Sequence, residues 1–350
     1  MGARQPDARL AAGPADQAAA MALHADAIVI DGTCPLLRRD GYLDWFKDGG
    51  YTAVAPTVGL GCEAAGALRE LGGWHRTINS RDDLILVRTA SDIERAKREK
   101  RLGIILHFQG TSPIENDLRL ADAYKALGVS MIMLAYNQKN RVGDGCEERT
   151  DAGLSNFGVE LVKRLNELKI VVDCSHTGMR TTLDAIAMSS APVVFSHSNP
   201  HAVFASRRNI TDEQIKAVAQ SGGLVGINGF PHYVSSAPKP SLDDYIRHID
   251  YIVDLVGVDH VGMGIDYFTH QVGVATDAEA RVYYDDSVRV GRWRPETYPP
   301  PPYHYPQEIE TPRAISNLTK GLLARGYRDN DVKRILGGNW LRVFRAVLGT

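Results

Sequence analysis

The chain has few cysteines, and none are paired at short spacing. Cys34, Cys62, Cys146 and Cys174 stand far apart with no C-x-x-C. This argues against a disulfide framework or a structural zinc knuckle and fits a reducing compartment. Charge excess is also missing: 40 Lys and Arg against 42 Asp and Glu leave a net charge of −2. No basic stripe therefore points to nucleic acid or to an anionic membrane. No apolar run is long enough to span a bilayer. The Ala-rich first 25 residues, interrupted by Asp7, Arg9 and Asp16, lack the apolar centre of a signal peptide. These absences lead us to expect a cytoplasmic protein with a flexible arm over residues 1–25 and one domain over residues 26–350.

Against this background two stretches stand out. Ile170-Val171-Val172-Asp173-Cys174-Ser175-His176 and Pro192-Val193-Val194-Phe195-Ser196-His197 are each a short apolar run ending in Ser-His. β-Branched runs of this length read as strands buried on both faces. The helical spacing of Met179 to Ser189 between them makes a βαβ unit with parallel neighbouring strands. Both histidines then emerge at strand C-termini, where α/β folds place ligands. Two adjacent imidazoles there suggest a metal. The alternative is that each His caps its strand.

Six further strands are expected: near 27–34, 51–58, 102–109, 130–136, 223–228 and 260–266. Helical stretches separate most of them, notably 82–100, 113–127, 157–168, 211–221 and 242–256. Residues 137–154 form a long polar loop. An insert after residue 266 holds a proline-rich segment, Tyr298 to Tyr303, and helices near 307–325 and 329–347 close the chain. Eight strands separated by helices add up to a (β/α)8 TIM-type barrel. A doubly wound sheet would want a Gly-rich turn after the first strand, and Asp31-Gly32-Thr33-Cys34-Pro35 is not one. The strand ends carry Thr33, Cys34, Thr57, His107, Gln109, Tyr136, Asn137, His176, His197, Asn228 and Asp266. A rim this rich in His, Asp and amide groups reads as an enzyme site. Asp266 reads as a metal ligand or a general base, or as a carboxylate paired with a local arginine. Arg208 reads as a fork for a substrate carboxylate, or as a surface charge. Glu147 and Glu148 read as solvated loop charges as readily as ligands.

The segments Asp173-Cys174-Ser175-His176, Ser196-His197-Ser198-Asn199, Ser206-Arg207-Arg208-Asn209-Ile210-Thr211-Asp212 and Gly222-Gly223 resemble the renal (membrane) dipeptidase family of zinc peptidases. So does the tail Ile335-Leu336-Gly337-Gly338-Asn339-Trp340-Leu341-Arg342-Val343-Phe344. The resemblance spans about residues 27–347. It implies an amidohydrolase-like barrel, a two-zinc site at the strand ends, hydrolysis of a small amide, and a homodimer. It makes His176 and His197 ligands of the second zinc, Arg208 the partner of a substrate carboxylate, and Asp266 the acidic group of the eighth strand. The chain also departs from the family. Where the family has His-x-Asp after Asp-Gly, this chain has Thr33 and Pro35; the family's bridging glutamate is Gln109, and its histidine after the fourth strand is Tyr136. A neutral amide bridges two cations poorly and proline offers no ligand.

Three readings follow. The first is a metal-dependent hydrolase of an amide, cyclic amide or related C–N bond, with one zinc ion or a rearranged two-ion site. In it Asp266 is catalytic, Arg208, Tyr136, Gln109 and Asn137 contact a small carboxylated substrate, and Asp266, His107, Asp144, Cys146 or Glu148 completes the ligand set. The second is an ordinary dipeptidase. The third is a non-catalytic small-molecule-binding barrel that has lost its metals.

Overall fold

Short β-branched runs with helices between them can bury both faces only in a parallel sheet covered by those helices. In the computed structural model, which describes residues 14–350, eight barrel strands do this. They are β1 (Ile30–Cys34), β2 (Ala53–Val58), β3 (Leu102–Ile104 and, past a kink, Leu106–Phe108), β4 (Val129–Met133), β5 (Val171–Asp173), β6 (Val193–Val194), β7 (Val225–Ile227) and β8 (Val261–Met263). Every pairing is parallel: Ile30 with Ala53, Thr57 with His107, His107 with Met131, Met133 with Asp173, and Asp173 with Val194. A parallel bridge from Phe195 to Val225 joins β6 to β7, and Met263 pairs with both Ile227 and Asp31. The ring is thereby closed, as the (β/α)8 reading requires.

Period two sorts the interior into layers. Ala53, Ile105, Met131, Val171 and Val194 form one buried apolar cluster with Trp340 and Phe344 from the last helix, Asn339–Leu348. Two residues further along the same faces stand His107, Asp173 and Ser196, a polar layer nearer the strand C-termini. Trp340 donates its indole N–H to the Met263 carbonyl at 2.8 Å. It can sit so close to the barrel because Gly32 lacks a Cβ, which would lie 2.3 Å from the indole ring.

The structure corrects several local expectations. Within 82–100 the chain first forms a strand, Leu84–Leu86, paired with Leu102–Ile104, and only then the helix Ala90–Glu99. Thr89 and Asp92 form the capping box that starts that helix. The insert after β8 holds a helix, Asp277–Arg289, capped by Thr276 and Glu279. The last helix is broken into Asp329–Lys333, a π turn Arg334–Gly338, and Asn339–Leu348. Gly337 lies against the backbone of Ile28, so a Cβ there would sit 2.5 Å from its carbonyl.

The expected N-terminal arm lies outside the described residues up to residue 13. Beyond it, Pro14–Asp26 is a helix, because alanine is the best helix former and residues 20, 23 and 24 share a buried face. His24 bonds Thr319 at 2.8 Å and the Gly49 carbonyl at 2.9 Å. No helix among the described residues is long and apolar enough to cross a membrane.

Candidate active site and its metal-binding half

The C-terminal ends of the strands gather most of the expected site residues. His176 and His197 follow β5 and β6, and their Nε2 atoms are 2.8 Å apart. Their hydrogen bonds determine where each proton sits. The Nδ2 end of Asn137 donates to the Arg292 carbonyl at 3.2 Å, an oxygen that can only accept. Asn137 Oδ1 therefore faces His176 Nδ1, 2.6 Å away, and that nitrogen must donate. In His197 the same result comes through Ser196. The Ser196 hydroxyl gives its one proton to Asp173 Oδ2 at 2.6 Å, so His197 Nδ1, also 2.6 Å from Ser196 Oγ, donates to it.

Each neutral imidazole thus carries its lone pair on Nε2, and the two lone pairs confront each other. Burial, then the nearby Arg208 charge, pushes both histidines well below their ordinary value. A shared proton is disfavoured there, whereas a cation suits two converging nitrogen lone pairs.

Asp173 stands behind this pair. Its Oδ1 accepts the backbone N–H groups of Ser175 and Ser196, both at 2.9 Å, and its Oδ2 also accepts His107 Nε2–H at 3.0 Å. Burial alone would raise this carboxyl, but His107, His197 and Ser196 hold it well below the usual carboxylate range. It is a fixed anion that orients the metal-facing imidazole through a serine. Sequence reasoning assigned Asp173 no role. The available signal was an acidic residue of inward parity inside an apolar run.

The rim on the other side does not fit a metal. Gln109 Nε2 donates to Thr33 Oγ1 at 2.9 Å, so the amide and the hydroxyl satisfy each other. Pro35 is buried at the start of a 3₁₀ turn, Pro35–Arg38. Asp31 accepts from the N–H of Ile265 at 2.9 Å through Oδ1, while its Oδ2 is buried without a partner; burial pushes this carboxyl up to about 7. Among the described residues no cluster of three or more His, Cys, Asp or Glu side chains is placed to hold an ion.

Most candidates for a third ligand are committed elsewhere. Asp144 accepts Ala152 N–H at 2.6 Å and Thr150 Oγ1–H at 3.2 Å, and lies 3.4 Å from Lys139 Nζ. Glu148 accepts backbone N–H groups of Lys139 and Arg149. The Cys146 thiol lies 3.8 Å from Asn137 Oδ1, and burial pushes it up to about 12. His107 spends Nε2 on Asp173, and its Nδ1 has no partner.

Asp266 remains available. It is partly exposed, accepts from Asn228 Nδ2 at 3.3 Å, and is pushed up to about 7 by burial against the opposing pull of Arg208. Arg208 itself is buried, donating to the His197 carbonyl at 3.0 Å and to Ser198 Oγ at 3.3 Å, with its Nε free. Tyr136 stacks on His176 at 4.1 Å between ring centroids and accepts Trp293 Nε1–H at 3.2 Å. Its hydroxyl proton is free to donate.

Two expectations change here. Asn137, expected at the substrate, is fully buried with both ends of its amide committed to His176, Arg292 and Tyr298. It positions His176. Glu147, read as a solvated loop charge, has no exposed surface. Asn137, His176 and Asp266 all hold positive φ, at 58°, 64° and 63°. Such a conformation costs about 1–3 kcal/mol for a residue with a side chain, and it recurs where packing forces functional groups into place. A cleft of about 300 Å³ reaches the site past Cys146, His176, Arg207, Arg208, Asn209 and Gln214.

With this geometry established, comparison with known proteins is informative. The family model for membrane dipeptidase (peptidase family M19) matches residues 58–279. An uncharacterized protein in the pqqA 5′ region of Klebsiella pneumoniae is 30% identical over 274 residues, 75% of this chain and 89% of that protein. An uncharacterized dipeptidase of Schizosaccharomyces pombe is 32% identical over 193 residues, 53% of this chain and 46% of that protein, so the match spans about half its length. Among solved structures, an amidohydrolase from Pseudomonas aeruginosa superposes with a TM-score of 0.86 at 32% identity, covering 95% of this chain and 99% of that one. A metallopeptidase from Rhodobacter sphaeroides, liganded with a phosphinate mimic of the dipeptide L-Ala-D-Ala, shares the fold. Its TM-score is 0.76 at 23% identity, covering 92% of this chain and all (100%) of that one. The chain belongs to the membrane dipeptidase family, peptidase family M19.

Proposed function

We propose that this member of a metallopeptidase family, a hydrolase of C–N bonds, cleaves an amide or related bond in a small carboxylated substrate using a single zinc ion. The observation that carries the reading is the pair of Nε2 lone pairs facing each other at 2.8 Å while Gln109 and Thr33 bond to one another across the rim. His176 and His197 would hold the ion, with Asp266 the acidic group left to join them or to act on water. When bound, zinc polarises a carbonyl oxygen and lowers the pKa of water.

The chain's own groups supply the remaining roles. The free Nε of Arg208 and its neighbouring N–H groups orient the substrate carboxylate. The Tyr136 hydroxyl donates to the oxygen on which charge develops. The Asp266 carboxylate takes a proton from water as the C–N bond is attacked and returns it to the departing nitrogen.

The free cysteines, near-zero net charge and absence of an apolar span among the described residues support a cytoplasmic setting. They also favour a small-molecule substrate over nucleic acid or membrane. A homodimer is proposed on the family resemblance alone. The helix Pro14–Asp26 is assigned to the same domain as the barrel, because His24 joins it to Thr319.

The test is elemental analysis of the purified protein beside a His176→Ala/His197→Ala variant. About one zinc per chain, lost in the variant together with amide hydrolysis, is the expected result. Two ions per chain would return the protein to an ordinary binuclear dipeptidase. No ion after reconstitution would leave the non-catalytic binder.

A further inference from the structure

The insert after β8 meets the segment after β4 residue by residue. Trp293 Nε1–H donates to the Tyr136 hydroxyl at 3.2 Å, Asn137 Nδ2 donates to the Arg292 carbonyl at 3.2 Å, and Gln138 Nε2 donates to the Gly291 carbonyl. Three consecutive residues at the rim are thus matched, in antiparallel order, by three consecutive residues of the insert. The insert is braced where it makes these bonds. The Trp293 backbone N–H donates to the Ser287 carbonyl at 3.1 Å, and the Tyr298 N–H closes a turn onto the Arg294 carbonyl at 2.8 Å. That turn lays Tyr298 flat on Trp293, with centroids 4.5 Å apart and planes within 5°. Tyr283 and Phe268 pack on the same indole, which is buried, at 5.5 and 5.7 Å. Rings held on several sides at such distances have little freedom to turn, so the direction of the indole N–H is fixed.

This direction constrains Tyr136. An indole N–H can only donate, so the Tyr136 oxygen must accept it. A phenolic O–H prefers the plane of its ring, which offers it two directions. The Trp293 donor occupies one, and the hydroxyl proton is left to the other, away from the insert. Among the described residues no group other than Trp293 bonds this hydroxyl. The Tyr136 ring is partly exposed and lies on His176, with planes 24° apart, so the phenol stands at the metal-facing half of the site.

We propose that Trp293 is a positioning residue: its N–H fixes the Tyr136 hydroxyl so that the phenolic proton is presented to the oxygen on which charge develops. Trp293 touches no reacting atom and acts only through Tyr136. The inference rests on the hydrolase reading above and deepens it, by making the insert a working part of the site. If the bond served only to satisfy a buried indole, its loss would be felt equally with or without the Tyr136 hydroxyl.

The experiment is a double-mutant cycle read by calorimetric binding of the phosphinate mimic of L-Ala-D-Ala to the zinc-loaded protein, which needs no turnover. At position 293 benzothienylalanine is placed site-specifically; it keeps the bicyclic shape of tryptophan and deletes only the N–H. We expect this change to weaken binding of the mimic by about fivefold in the wild-type background and by less than about 1.5-fold in Tyr136→Phe. Zinc content should be unchanged throughout. Trp293→Phe, which also removes packing, should show the same dependence on Tyr136 on top of a general loss. Equal losses in the two backgrounds, or no loss in either, overturn the assignment while leaving the hydrolase reading intact. So does unchanged affinity in Tyr136→Phe alone, an outcome that does not depend on either position-293 variant folding. No binding of the mimic to zinc-loaded wild type would remove the hydrolase reading and this inference with it.

Discussion

The two sides of the barrel rim are built to opposite rules. On the β5–β6 side Asp173 accepts two backbone N–H groups, the Ser196 hydroxyl and His107, and the resulting chain of bonds leaves His176 and His197 with their lone pairs converging. On the β1–β3 side Gln109 and Thr33 satisfy each other, Pro35 carries no donor, and one oxygen of Asp31 is left alone. The first arrangement is strained unless a cation enters, whereas the second closes on itself without one. Metal binding in such a site is therefore a property of the groups behind the ligands as much as of the ligands.

Five changes would break or sharpen this contrast. Asp266→Asn should have the largest effect, lowering turnover by about 100-fold or more, the usual weight of a general acid–base group. In wild type, turnover should rise with pH as the Asp266 carboxyl ionises, and Asp266→Asn should lack that limb. The sign for stability is the reverse. The folded carboxyl sits near 7 and an unfolded one near 4, so the folded state holds the extra proton between these values. In the metal-free protein the contribution of Asp266 to stability should therefore be lost as pH rises from about 4 to about 7, against the opposite contribution of the buried histidines, whose lowered values favour the folded state as pH rises. Chemical denaturation across that window should show the stability of wild type relative to Asp266→Asn falling as pH rises, a difference in which the histidines and Asp31 cancel.

Asp173→Asn attacks the ordered side. It should weaken zinc affinity by about 10- to 100-fold and cost about 1–3 kcal/mol in stability, because donors that converge on a carboxylate are left facing an amide. Competition with a chelator and denaturant titration would measure the two losses. An unchanged affinity would show that the serine relay is dispensable.

On the closed side, the combined Thr33→His, Pro35→Asp and Gln109→Glu substitution should raise bound metal from about one to about two ions per chain. Gln109→Glu alone should instead cost about 1–3 kcal/mol by burying a charge without a partner. Tyr136→Phe should have the smallest effect, lowering kcat by about tenfold with little change in metal content, since only one hydrogen bond to developing charge is lost.

Much of the architecture was legible along the chain. The Ser-His endings of two consecutive apolar runs placed His176 and His197 together because parallel strands joined by a helix must bring their C-termini side by side. Thr211 with Gln214, and the span Leu242–Val256, were readable because caps and the 3.6-residue period are local. The strand Leu84–Leu86 was not, because three residues carry too little periodicity to stand out from the helix that follows.

The site's finer properties belong to the tertiary structure. The proton on His176 Nδ1 is set by Asn137, 39 residues away, whose amide is turned by Arg292, 155 residues further on. Glu147 looks like any acidic residue in a polar loop until folding removes it from solvent. Residue types and their spacing determined which groups could reach the rim, since strand parity and connection handedness follow from chain geometry. Only the closed barrel decided which of those groups are neutral, which are fixed and which are left without a partner, because hydrogen-bond direction and dielectric depend on neighbours that are distant in sequence.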